Sequence, residues 1–138
     1  MAGKVVNMSV SALETLMQAV TRYFDLMYDA DISRFDRVFR STAQLHGIKA
    51  GQIVMLPAHV YKDALAKAPS PKSKGAPRQE QVLLVDFAAP EQALVKVRVR
   101  IDATVYVDHL SYHCVAGEWL ISAKAFHIES REEPKVDA

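Results

Sequence analysis

The clearest alternation of apolar and polar positions lies in the last third of the chain. From Leu94 to Ile101, Val95, Val97, Val99 and Ile101 alternate with Lys96, Arg98 and Arg100, the pattern of a strand with one face buried and one in water. Thr104 to Ile128 continues as two strands joined by a tight turn at Ala116-Gly117. That turn pairs Cys114 with Trp119, Tyr112 with Ile121, Leu110 with Ala123, Asp108 with Ala125 and Tyr106 with His127. Paired residues share a face and successive residues alternate. One face then holds Tyr106, Asp108, Leu110, Tyr112, Cys114, Trp119, Ile121, Ala123, Ala125 and His127. The other holds Val107, His109, Ser111, His113, Leu120, Ser122, Lys124 and Phe126. The first set is the more aromatic and apolar and is assigned to the interior; a one-residue slip would exchange the two. A turn near Asp102-Ala103 pairs Val97 with Asp108, which adds the apolar residues of the preceding strand to the inner face and sends its three cations outward.

Earlier in the chain the period is helical. Ser9 or Ser11 caps a first helix, with Glu14 completing a capping box, and residues 1–8 are a frayed lead-in. Leu13, Leu16, Met17, Val20, Tyr23, Phe24 and Met27 form its apolar stripe. Asp31 or Ser33 caps a second, short helix carrying Ile32, Phe35, Val38 and Phe39, ended by Ser41-Thr42. Ala43–Gly47 and Gln52–Leu56 read as short strands about a turn at Lys49-Ala50-Gly51. Pro57 suits the first turn of a third helix, Ala58–Lys67. Residues 68–78, APSPKSKGAPR, have three prolines and a glycine and read as a flexible loop. Gln81–Phe87 is a further strand, and the tail, residues 130–138, is polar and frayed. Helices precede hairpins, so the fold class is α+β: three helices on one curved, mostly antiparallel sheet, a single domain over residues 1–138 with its core at about 9–129.

Composition narrows the function classes. With 17 basic and 16 acidic residues the net charge is +1, which favours neither a nucleic-acid partner nor disorder. The single cysteine, Cys114, cannot form an internal disulfide and reads as inert packing in a reducing compartment. No apolar run is long enough for a membrane span or a secretory signal, so the expectation is a soluble cytoplasmic protein. His109 and His113 share a strand face but lie about 13 Å apart, too far for one metal ion. No phosphate loop, nucleophile elbow or dinucleotide fingerprint occurs. No cofactor and no metal are expected.

Asp108 is the candidate for chemistry. On the inner face it sits beside the small Ala123 and Ala125, which leave space rather than fill it. A carboxyl group there must be hydrogen-bonded, protonated or open to a cavity. The expected ligand-binding set is Tyr23, Met27, Tyr106, Asp108, Tyr112, Trp119, Ala125 and His127, with Asp108, Tyr23 and His127 as catalytic candidates. His127 suits acid–base work near neutral pH, or simply ends a core strand with a hydrogen bond. Tyr23 equally fits a core aromatic whose hydroxyl finds a backbone partner.

The segments AVTRYFDLMYDADISRFDRVFRSTAQLHG and VYVDHLSYHCVAGEWLISAKAFHI resemble the nuclear-transport-factor-2-like superfamily, over about residues 12–128. The nearest resemblance is to its bacterial branch labelled putative lumazine-binding, beside polyketide-cyclase-like members. It implies a conical, cystatin-like α+β fold, a pocket between helices and sheet, and a homodimer through the outer sheet face, for which Val107, Leu120 and Phe126 are candidates. The ketosteroid isomerases are similar in fold, and they use a tyrosine and a neutral carboxylic acid as an oxyanion hole. Tyr23 and Asp108 fall at those positions, while the general base falls at Gly47 and is missing. The resulting expectation is a binding protein for a small apolar or aromatic ligand with one polar oxygen. The alternatives are an isomerase, dehydratase or cyclase acting on a carbonyl or phenolic substrate, and a structural dimer with a filled core.

Overall fold

The computed structural model describes the backbone of residues 2–132 and the side chains of residues 12–132. Helix α1 (Ala2–Asp29) lays Leu16, Ala19, Val20, Tyr23, Phe24, Leu26 and Met27 on the sheet, all buried. This is most of the expected stripe on a longer helix, with Ala19 and Leu26 added, whereas Leu13 is 41% exposed and Met17 only partly buried. The helix begins at Ala2, so Ser9 and Ser11 lie inside it and are not caps; their side chains are outside the described residues. Ala30 ends it in the left-handed region at φ 52°, its N–H reaching the carbonyl of Leu26. Asp31 then caps a short 3₁₀ helix (Ile32–Arg37) by accepting from the Ser33 N–H.

This second helix is shorter than its apolar residues suggested. Phe39 already belongs to strand β1 (Phe39–Lys49), pairs with Ile121 and stacks on Phe35 at 4.9 Å between ring centroids. A β-branched Val38 and an aromatic Phe39 gain more by joining the sheet than by extending a single tight turn. Strand β2 (Gln52–Pro57) forms a hairpin with β1, and α2 (Ala58–Lys67) follows on Pro57 as expected. Residues 68–78 have no helix or strand but are tied to α1. The Lys72 N–H donates to the Tyr28 carbonyl, the Tyr28 hydroxyl donates to the Ala76 carbonyl, and Arg78 pairs with Asp25 at 2.7 Å.

Strands β3 (Glu80–Ala89), β4 (Gln92–Ile101), β5 (Thr104–Val115) and β6 (Glu118–Arg131) form a meander. The sheet order is β2-β1-β6-β5-β4-β3, antiparallel except where β6 returns parallel to β1. Val97 pairs with Asp108, and Val95, Val97 and Val99 face the core. On the outer face Arg98 pairs with Glu129 at 3.0 Å and Arg100 with Glu132 at 3.0 Å. Strand β6 runs to Arg131, past the expected end at Ile128; residues 133–138, most of the expected tail, lie outside the described residues.

The hairpin register changes partway. From the turn, Cys114–Trp119 and Tyr112–Ile121 pair as expected. A β-bulge at Ser122 then inserts one residue, so Ser111 meets Ala123, Leu110 meets Lys124, Asp108 meets Phe126 and Val107 meets His127. Lys124 and Phe126 therefore face inward. Ala123, Ala125 and His127 face outward, the reverse of the uninterrupted register. Phe126 is thereby removed from the candidate outer surface, while Val107 and Leu120 stay on it.

Candidate functional site

Three charged or polar side chains meet under the sheet beyond the bulge. Strand β5 brings Asp108, 1% exposed; β6 brings Lys124, 5% exposed; the apolar stripe of α1 brings Tyr23, fully buried. The Tyr23 hydroxyl donates to Asp108 Oδ2 at 2.5 Å, and Lys124 Nζ lies 3.7 Å from the same oxygen. Lys124 Nζ also donates to the Tyr61 hydroxyl at 3.5 Å, and Tyr61 donates to Met27 Sδ at 3.3 Å. The ammonium lies 5.1 Å from the ring centroids of both Tyr23 and Tyr61. Asp108 Oδ1 has no hydrogen-bond partner among the described residues.

The electrostatics follow from burial and this contact. Burial, reinforced by the Asp108 charge, holds the Tyr23 hydroxyl well above its ordinary range, so the phenol keeps its proton. For Lys124 burial is the largest single effect and favours the neutral amine, but Asp108, Tyr61 and Tyr106 together outweigh it and the net shift is upward. Lys124 is thus a cation at neutral pH, not a nucleophilic amine. A buried ion pair is expensive to desolvate, and here it is matched by hydrogen bonds from Tyr23 and to Tyr61.

Lys124 forms part of the wall of a cavity of about 400 Å³ between α2 and the open end of the hairpin. The other lining residues are Leu45, Lys49, Leu56, Tyr61, Ala64, Leu65, Ala68, Ile101, Tyr106 and Phe126. Most of this surface is apolar, with Lys124, Lys49 and the two phenols as its polar points. No carboxylate or imidazole is among them.

The expected site residues divide into three groups. Tyr106 lines the cavity, and burial raises its hydroxyl above the ordinary range. Tyr23, Asp108 and Met27 gather around Lys124 but do not themselves line the cavity. Tyr112 and Trp119 face inward but pack at the turn end of the hairpin. There Trp119 donates to Thr15 at 3.0 Å and meets Phe87 edge-on at 6.1 Å, and neither lines the cavity. Ala125 and His127 point to the outer face because of the bulge. Tyr23 and Asp108 are also not a pair of free donors, since the tyrosine proton is held by the carboxylate.

Sequence reading missed Lys124, Tyr61 and Phe126. Phe126 pairs with Gly47, and a Cβ built on Gly47 would lie 2.1 Å from its ring. The position that the resemblance to ketosteroid isomerases gives to the base is therefore covered by the Phe126 ring.

Residues 11–127 match the family described as putative lumazine-binding. No curated protein matches the chain. Among solved structures, an NTF2-like protein of unknown function from Silicibacter pomeroyi is 18% identical with a TM-score of 0.78, over 87% of this chain and 98% of that one. A second such protein, from Shewanella baltica, is 18% identical with a TM-score of 0.75, over 88% and 96%. A ketosteroid isomerase-like protein from Erwinia carotovora atroseptica is 12% identical with a TM-score of 0.66, over 86% and 96%. At these identities the structures bear on fold alone, while the family match spans most of the sequence. The helices packed on a curved six-stranded sheet, the neighbours of the same fold and the match over residues 11–127 agree: the chain belongs to the putative lumazine-binding family of the NTF2-like superfamily.

Proposed function

We propose that the protein binds a small, largely apolar molecule in the cavity beside α2, with Lys124 and Tyr61 holding an oxygen of that molecule. The observation that carries this reading is a charged amine, itself 5% exposed, in the wall of an otherwise apolar cavity of about 400 Å³. A few convergent polar groups in a concave apolar site are what orient a ligand. The family description points to small-molecule binding as well. An isomerase or cyclase reading finds less support. A proton-abstracting step needs a base, and the cavity lining offers only cations, phenols and apolar groups.

We further propose that two copies pack through the outer face of β1 and β2. Ile48, Ile53 and Met55 are 66%, 72% and 47% exposed there, on the face opposite the cavity.

The test for ligand binding is titration with 2-naphthol, an apolar phenol of suitable size, followed by probe fluorescence. Saturable binding is expected, and it should be abolished by Leu65→Trp, which fills the cavity from α2 and leaves both members of the ion pair in place. Binding undiminished in a folded Leu65→Trp variant would place the probe elsewhere and defeat the reading.

A further inference from the structure

The two cations of the cavity differ in one respect. Lys124 is buried with a carboxylate 3.7 Å from its ammonium, so that region is a nearly balanced pair. It suits a neutral oxygen, such as a carbonyl or hydroxyl. Lys49, the last residue of β1, is exposed where the cavity meets solvent, with its Nζ 5.8 Å from the centroid of the Phe126 ring. It makes no ion pair among the described residues, and no acidic side chain lines the cavity to oppose it. Leu45 is paired with Lys124 across β1 and β6, so Lys49 stands four residues, about 13 Å, further along the same strand. Leu45, Leu56, Ile101 and Phe126 line the same cavity.

We infer that the ligand is an amphipathic anion: an apolar body of bicyclic or medium-chain size, a hydrogen-bonding oxygen toward Lys124 and Tyr61, and a carboxylate or similar anionic group at the mouth against Lys49. This rests on the cavity being the binding site and adds the ligand's charge and direction. A bound anion gains from Lys49 without displacing a carboxylate, and because Lys49 is exposed the contact is weakened by salt.

The experiment compares 2-naphthol with 6-hydroxy-2-naphthoate, which has the same ring system and phenol with a carboxylate added. Both are titrated into the full chain by calorimetry, at low and at 0.5 M salt. The naphthoate is expected to bind about fivefold tighter at low salt, the scale of one partly exposed charge contact. That advantage should fall below about twofold in Lys49→Met and in high salt, and return in Lys49→Arg. Equal affinities in the native chain, or an advantage that survives Lys49→Met, would overturn the anion assignment and leave the cavity reading intact. If neither probe binds, the cavity reading fails and this inference fails with it.

Discussion

The two ends of the β5–β6 hairpin are built from one continuous pair of strands, yet they do different work. At the turn end, Tyr112, Trp119 and Ile121 face inward and are buried against α1 and β3 neighbours, so the interior is filled. Past Ser122 the same face carries Asp108, Lys124, Tyr106 and Phe126, and the interior is an ion pair beside a cavity. The two ends are separated by one inserted residue. A bulge bends the strand and raises its twist, and here it also decides which of two adjacent residue sets faces inward. The filled end carries stability alone, while the open end gives up some packing for a polar point in an apolar setting.

The comparison is tested most severely at the ion pair. Lys124→Met leaves Asp108 buried without its cation and should cost about 3–5 kcal/mol, measured by urea unfolding. Trp119→Ala at the filled end should cost a similar ~3–5 kcal/mol through the void it leaves, but leave probe affinity unchanged. Adding Asp108→Asn to Lys124→Met should recover most of the loss, because no charge is then stranded. A cost below about 1 kcal/mol for Lys124→Met would mean that the pair is solvated rather than buried. The pH dependence has a defined sign. The folded values of Tyr23 and Lys124 lie above their ordinary 10.0 and 10.5, so the unfolded chain releases these protons first. Their contribution is complete below about pH 10 and is lost as pH rises through the folded values. Tyr23→Phe combined with the double variant should flatten that alkaline decline.

The next effect lies where Phe126 covers Gly47. Gly47→Ala places a methyl into the ring and should cost about 1–3 kcal/mol. In a Phe126→Ala background the same change should cost little, and the coupling in a double-mutant cycle measures the contact. Additive effects would mean that the ring does not rest on Gly47.

Much of the fold was legible because its signals are local. The alternation Val95 to Ile101, the Ala116-Gly117 turn and the Pro57 start of α2 each read correctly from neighbouring residues. The register beyond Ser122 did not, since an extra residue in a strand leaves no mark on an alternating pattern. Ser-Ala-Lys-Ala-Phe reads equally well with its lysine and phenylalanine outward. What turns Lys124 inward is a carboxylate on β5 and two tyrosines on α1 and α2, partners far away in sequence. For that reason Asp108 was found as an anomaly while its counter-ion was assigned to solvent. Deleting Ser122 tests the bulge itself. The pairs on both sides already match a regular ladder, so the variant should fold with Lys124 still inward. It should lose about 1 kcal/mol with the His113–Ser122 hydrogen bond. A loss as large as that of Lys124→Met would show that the bend, and not only the register, holds the site.

The smallest expected effect is at the turn that begins the hairpin, where both ends still share one register. Ala116 and Gly117 have φ of 52° and 79°, the type I′ geometry that favours asparagine followed by glycine. Alanine is strained there by its Cβ, whereas asparagine tolerates the left-handed region. Ala116→Asn should therefore stabilise the protein by a few tenths of a kcal/mol up to about 1 kcal/mol, read as a rise in the urea midpoint at constant slope. The gain should appear equally in the native chain and in the Ser122 deletion, because the turn and its first pairs precede the bulge. A gain confined to one background would mean that the turn and the bulge set the register together.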